Sequence, residues 1–210
     1  MAIRGRNIVF DAITVDQQGG FAFDVWHANH YLPECVSRNG IIGARTFASP
    51  LRGTYLSIFE SDLGTHELAN ALPAPGHEAV KTVERYTGED IGEQRAAGAP
   101  AHILEAPVVY PVLFRVPPER EHEFNAWYEE EHMDILLRCE HWPYCRRFRL
   151  HGPSNGYTHL ALHHLTDLKA LESQERDEAR ATAWRDRLAE EAWFKGDYRV
   201  YHRYGNIVRR

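Results

Sequence analysis

The strongest constraint on this chain is that it repeats itself at a spacing of 101 residues. Asn7–Phe47 lies on Val108–Phe148 without a gap. Five of those 41 positions are identical: Val15/Val116, Phe23/Phe124, Trp26/Trp127, Arg45/Arg146 and Phe47/Phe148. The order of elements carries more weight than the identities. Each copy opens on a strand-like run, NIVFDAITV or VVYPVLFRV, and a polar turn, DQQGG or PPERE. A helix bearing Phe-x-x-Trp follows. Pro117 and Pro118 stand where the second of these helices starts, a place where a missing N–H costs little. Then come a strand, IIGARTF or YCRRFRL, a turn, SPLRG or GPSNG, and a third strand, TYLSIF or YTHLALHH. Asp62-Leu63 and Asp167-Leu168 read as the capped start of a second helix. Short strands, AHILEA and YRVYHRY, close the copies, and ALPAPGHEA interrupts the second helix of the first.

The order βαββαβ, twice, predicts an α+β chain of two ferredoxin-like repeats, 1–106 and 107–210. A sheet of this kind has helices on one face and needs a cover on the other. A second such sheet supplies it, which predicts a pseudo-dimeric α/β barrel packed sheet to sheet. Alternation sorts the faces. Leu160 and Leu162 oppose Tyr157, His159, Ala161 and His163, while Leu56 and Ile58 oppose Tyr55, Ser57 and Phe59. The aliphatic face is expected against the helices, and the mixed face in an enclosed chamber.

The totals narrow the function classes. A net charge of −6 leaves no basic footprint for nucleic acid. No apolar run approaches the roughly 20 residues that span a bilayer, and the N-terminal MAIRGRNIVF has no leader-like stretch. Cys35, Cys139 and Cys145 are an odd number without CxxC spacing, read as reduced thiols in a cytoplasmic protein. Neither GxGxxG, a P-loop nor GxSxG occurs. His27-x-x-His30 and Glu129-x-Glu131-His132 bring ligand types together but match no zinc signature, so no metal is expected.

The second helix motif, EFNAWYEEEHMDILL, holds the candidate chemistry. Residues three and four apart share a face, so Phe124, Tyr128, His132 and Leu136 form one stripe and Trp127, Glu131 and Ile135 the next. His132 is suited to general acid/base work, its ordinary pKa of about 6.5 lying near neutral pH. Equally, it could pin the helix C-terminus through backbone carbonyls. Tyr128 would polarise a carbonyl and Glu131 orient a histidine. His159 and His163 would line the chamber, with His159 a second base. The corresponding Tyr55 and Phe59 of the first copy would make a more apolar chamber for an aromatic ring, with His30 and Tyr31 beside it. Trp26 and Trp127 read as core anchors, and Trp127 also as a chamber wall. Arg45 and Arg146 would bind a carboxylate or phenolate, or form structural ion pairs.

FNAWYEEEHMDILL, followed by CRRFRL and YTHLALHHLTDL, resembles the dimeric α/β-barrel superfamily, in its EthD-like and stress-responsive varieties. The resemblance is stronger over 108–170 than over 7–63, where His30-Tyr31 replaces Glu131-His132 and His27 replaces Tyr128. It implies a small enzyme without cofactor that acts on a hydrophobic, aromatic or polyketide-like compound, as an isomerase, cyclase, lyase or monooxygenase-like enzyme. A role in aromatic catabolism and a homodimer are also implied. A ligand carrier or filled structural barrel, and a haem- or metal-dependent enzyme, are the alternatives, since a fold does not decide a reaction.

Overall fold

The computed structural model describes residues 3–16, 18–51, 53–152 and 156–210. Residues 153–155 of the expected turn GPSNG, Gln17 of DQQGG and Arg52 of SPLRG lie outside the described residues. Along the chain the first elements are β1 (Asn7–Val15), α1 (Gly20–Trp26), α2 (Leu32–Ser37), β2 (Ile41–Ala48), β3 (Thr54–Ser61), α3 (Thr65–Leu68) and β4 (Val80–Arg95). The second copy follows with β5 (Val108–Phe114), α4 (Glu121–Trp127), α5 (Met133–Leu136), β6 (Tyr144–His151), β7 (His159–Leu165), α6 (Gln174–Arg180), α7 (Ala183–Ala189) and β8 (Asp197–Tyr198). Two short strands, β9 (Tyr201–Arg203) and β10 (Val208–Arg209), end it.

Both copies place one turn of π-helix inside the first helix, His27–Tyr31 between α1 and α2 and Tyr128–His132 between α4 and α5. These are the same five positions at the offset of 101. A π turn accommodates an extra residue, offsets the faces of the helix on either side of it, and is frequent at functional sites.

The chain divides into two compact units. One comprises Met1–Asp90, Leu150–Ser154 and Val200–Arg210, the other Ile91–Arg149 and Asn155–Arg199. Strands run β10-β2-β3-β1-β4 in the first and β6-β7-β5-β8 in the second, and neighbours pair antiparallel. Counted within each repeat, both orders read 2-3-1-4, the ferredoxin-like arrangement. The fold class is therefore the expected α+β one of two ferredoxin-like repeats. The units cut the chain differently from the repeats 1–106 and 107–210. β4 contributes to both, and Val200–Arg210 returns to the first unit, where Arg203 faces Phe47 and Val208 faces Ala44 across the ladder.

Three expectations need correction. AHILEA does not close the first repeat; Ile103–Glu105 is a 3-10 turn and the closing strand is β4. Its sequence hides it, because only Tyr86, Thr87 and Gly88 of its residues are buried and neither an apolar run nor clean alternation results. Backbone pairing along the whole of β1 holds it instead. Asp62 does not cap a helix: its Oδ1 accepts from the Arg6 amide at 3.3 Å, and α3 is four residues long with no side-chain cap. Asp167 does cap, accepting from the Lys169 amide at 2.9 Å, but it opens a 3-10 turn, and Ser173 and Thr182 cap α6 and α7.

The third correction reverses the sheet faces. The His159 ring packs against Phe124 of α4 at 5.3 Å, and His163 lies 6.4 Å from the Tyr128 ring. Tyr55 packs on Phe23 of α1 at 4.9 Å and Phe59 on Tyr31 at 6.1 Å. The mixed face therefore carries the helices in both units. Leu160 and Leu162 share the opposite face with Phe148 and Arg146 of β6, their register partners. Burial does not separate the two faces, since Leu160 and His163 are each 1% exposed.

Candidate active site

The helix-bearing face of the second unit encloses a cavity of about 40 Å³. Its floor comes from alternate residues of paired strands: Tyr110, Val112 and Phe114 of β5, with His163 of β7 opposite Tyr110. Trp127, Tyr128, His132 and Leu136 form the wall toward α4 and α5. The apolar stripe read in the sequence is thus the one that faces this cavity. The π turn begins and ends on its two polar members, Tyr128 and His132.

The two histidines are held in complementary states. Trp142 Nε1–H donates to His163 Nδ1 at 3.0 Å. Indole nitrogen can only donate, so His163 Nδ1 is the acceptor and its proton sits on Nε2. Burial holds this imidazole well below its ordinary pKa, and proximity to His132 adds to the effect. His163 is therefore a neutral hydrogen-bond donor. Burial also pushes His132 down, to about 3, against the pull of the Ala179 carbonyl, which favours an N–H on the ring. At neutral pH this ring is therefore an uncharged imidazole. The ring stacks on Trp127 at 4.3 Å, and its Nδ1 has no hydrogen-bond partner among the described residues. One histidine is thus fixed as a hydrogen-bond donor, and the other is a neutral imidazole with an unpartnered Nδ1. Tyr128 stands between them, its ring 5.1 Å from His132 and 6.4 Å from His163. Burial raises its phenol well above the usual value, so it keeps its proton.

Three arginines complete the cavity, and sequence reasoning passed over all of them. Arg176 and Arg180 come from α6 and Arg185 from α7. In QERDEARATAWRDR they look like half of a solvated, charge-balanced face. The one available signal was their spacing, since Arg176 and Arg180 are four apart and share a helix side.

The remaining candidates fall elsewhere. His159 lies on the same face of β7 but is outside the cavity wall. Its ring nitrogens meet Thr158 Oγ1 at 3.0 Å and Glu121 Oε1 at 3.4 Å. Trp127 is buried and lines the cavity, and its Nε1 has no partner among the described residues. Glu131 orients no histidine; its Oε1 accepts from the Thr182 hydroxyl at 2.6 Å, at the start of α7. His132 does not end its own helix, which continues into α5; the backbone carbonyl beside its ring, Ala179, belongs to the last turn of α6. Arg146 is fully buried on the sheet face away from the cavity, 4.8 Å above the Phe148 ring. Arg45 forms a buried ion pair with Glu60.

In the first unit, Tyr55, Phe59 and Tyr31 are buried in the packing between helix and sheet, whereas His30 points outward and is exposed. His27 is buried and His30 is not, so the two do not converge as ligands. Among the described residues no group of three or more His, Cys, Asp or Glu is placed to hold a metal ion. No helix there is long and apolar enough to cross a membrane.

No protein-family model matches the chain, and no curated protein matches it. Solved structures do. An anthrone oxidase-like protein aligns at 12% identity with a TM-score of 0.66, over 99% of this chain and 94% of its own. Chlorite dismutase from Candidatus Nitrospira defluvii aligns at 10% identity with a TM-score of 0.62, over 95% and 91%. A monooxygenase-like protein from Listeria innocua aligns at 8% identity with a TM-score of 0.51, over 96% of each chain. The likeness extends over both ferredoxin-like repeats. At these identities the likeness is one of fold alone.

Proposed function

We propose that the second repeat is the working half of a cofactor-independent enzyme acting on a small aromatic or polyketide-like carbonyl compound. Its chemistry is proton abstraction next to the carbonyl. The reading rests on the complementary histidines of one cavity. The lone pair of His132 takes a proton from the carbon beside the carbonyl, and the C–H electron pair moves toward oxygen to give an enolate. Tyr128 O–H and His163 Nε2–H donate to that oxygen as its charge grows, where fixed donors are most effective. Protonation elsewhere gives isomerisation, attack on a second carbonyl gives cyclisation, and loss of a leaving group gives cleavage. The name of one structural neighbour, an anthrone oxidase-like protein, suits an aromatic ketone. The EthD-like variety rests on the helix motif alone.

The aromatic walls suit a flat guest, but the resting cavity is small. A cavity that takes up benzene measures about 150 Å³. A ring therefore enters only if a wall moves, and Tyr198, 50% exposed and stacked on Tyr110 at 6.1 Å, is the most exposed of the lining rings.

The test is hydrogen–deuterium exchange in D₂O, followed by NMR at the methylene of anthrone and of simple aryl ketones. The protein should accelerate exchange, and His132→Gln should lose about 10²-fold or more, the usual scale for a general base. Because His132 stays neutral down to about pH 3, the rate should be flat between about pH 5 and 8, without the usual histidine inflection. Binding of these ketones without exchange would make the protein a carrier and end the catalytic reading.

A further inference from the structure

Arg176, Arg180 and Arg185 place three guanidinium groups on a cavity whose other walls are aromatic rings and neutral imidazoles. Structural reasons for them are thin. Three nearby acids are engaged elsewhere: Glu178 pairs with Arg138 at 2.6 Å, Glu131 takes the Thr182 hydroxyl, and Glu191 pairs with Arg120 at 2.6 Å. Asp186 comes only to 4.0 Å from Arg185. Arg176 and Arg180 form no ion pair with a carboxylate among the described residues. A solvated helix face would leave Arg176 outward, but it is half-buried on the cavity wall, and its charge opposes the burial that raises the Tyr110 phenol on the floor. Arg180 is exposed. The three charges thus run from the floor to the open side, and like charges gathered on low-dielectric walls draw an anion in.

We infer that the substrate carries a carboxylate, held by the guanidinium groups of Arg176 and Arg180 with Arg185 beside them, so that the compound is an aromatic oxo acid rather than a neutral ketone. This rests on the proposed proton abstraction for the identity of the site. The planar fork of arginine matches both oxygens of a carboxylate, and an Arg pair at the cavity edge fixes which end of the molecule faces His132. The same charges would steady the enolate.

Binding tests this without turnover. Phenylpyruvate and its uncharged counterpart phenylacetone are titrated by calorimetry into the full chain and into His132→Gln. Phenylpyruvate should bind at least tenfold tighter than phenylacetone, and the preference should shrink as salt rises from 0.1 to 0.5 M. Arg176→Gln and Arg180→Gln should each weaken phenylpyruvate by about tenfold, leave phenylacetone unchanged and keep the thermal midpoint of the wild type. Arg180→Lys should recover part of the loss, since it keeps the charge but not the fork. Equal affinities, a preference that survives both substitutions, or binding of neither compound overturns the inference. The two readings fail separately. A carboxylate preference without isotope exchange removes the enzyme and keeps the anion site; exchange of neutral ketones without a carboxylate preference does the reverse.

Discussion

The two repeats spend the space beneath their first helix in opposite ways. In the second, His132 and Tyr128 look onto a cavity. In the first, the position of His132 is taken by Tyr31, that of Val112 by Asp11, and the space is closed. Arg85 reaches in from β4 and grips the buried Asp11 through Nε and Nη2 at 2.7 and 2.6 Å. It also donates to the Leu72 and Pro73 carbonyls at 2.9 and 3.0 Å. The Tyr31 hydroxyl lies 3.2 Å from Asp11 Oδ2 and 3.1 Å from the Pro73 carbonyl. At the place of Tyr128 stands His27, bonded to Ser57 Oγ at 2.9 Å. One backbone, π turn included, thus supports a satisfied polar network in one copy and unsatisfied, forward-facing groups in the other. Duplication lets one half carry stability while the other carries groups that stability alone would not choose.

The sharpest way to break this contrast is Asp11→Ala. It leaves the Arg85 guanidinium without its carboxylate, and losing one member of a buried pair costs about 3–5 kcal/mol. Denaturant unfolding should show that loss, while isotope exchange per folded molecule stays at the wild-type rate. A loss below about 1 kcal/mol would mean that the first repeat is not the stabilising half.

A smaller effect follows pH. Burial pushes His27 down to about 4 from its ordinary 6.5. The folded chain then refuses a proton that the unfolded chain accepts. This contribution is complete above about pH 6.5 and is lost as pH falls toward 4, by on the order of 3 kcal/mol. Urea midpoints at pH 7 and 4.5 should differ less for His27→Gln than for wild type. An identical drop in both would assign the acid sensitivity to other groups.

The smallest effects come from removing one oxygen in each repeat. Tyr31→Phe should cost about 1 kcal/mol, the worth of a bonded hydroxyl, and leave exchange untouched. Tyr128→Phe should leave the thermal midpoint nearly unchanged, because its hydroxyl makes no hydrogen bond among the described residues, yet slow exchange about tenfold or more. The reverse pattern would exchange the roles of the two halves.

Much of this was legible along the chain. The offset of 101 brought together Tyr31 and His132, and His27 and Tyr128, which prove to end the two π turns. Period-4 spacing placed Tyr128 and His132 on one stripe, and period-2 spacing placed His159 and His163 on one strand face. Periodicity names the residues that share a face, but not what that face meets. With both faces of β7 buried, the choice between helices and the opposite side lay outside any local pattern. Arg146 illustrates the cost: its strand was read correctly, and its side chain lies on the face away from the site.

What the sequence determined by itself is therefore local and periodic: two ferredoxin-like repeats, an amphipathic helix in each, and an unequal set of polar residues on matching positions. Tertiary structure alone decided the rest. It brought Trp142 onto His163 and so assigned the proton to Nε2. It carried α6 and α7 back over the sheet, so that arginines distant in sequence stand by His132. It ran β4 beside β1, so that Arg85 closes the first repeat. Each of these depends on contacts between segments far apart in the chain, whose energies come from burial and pairing that no window of neighbouring residues contains.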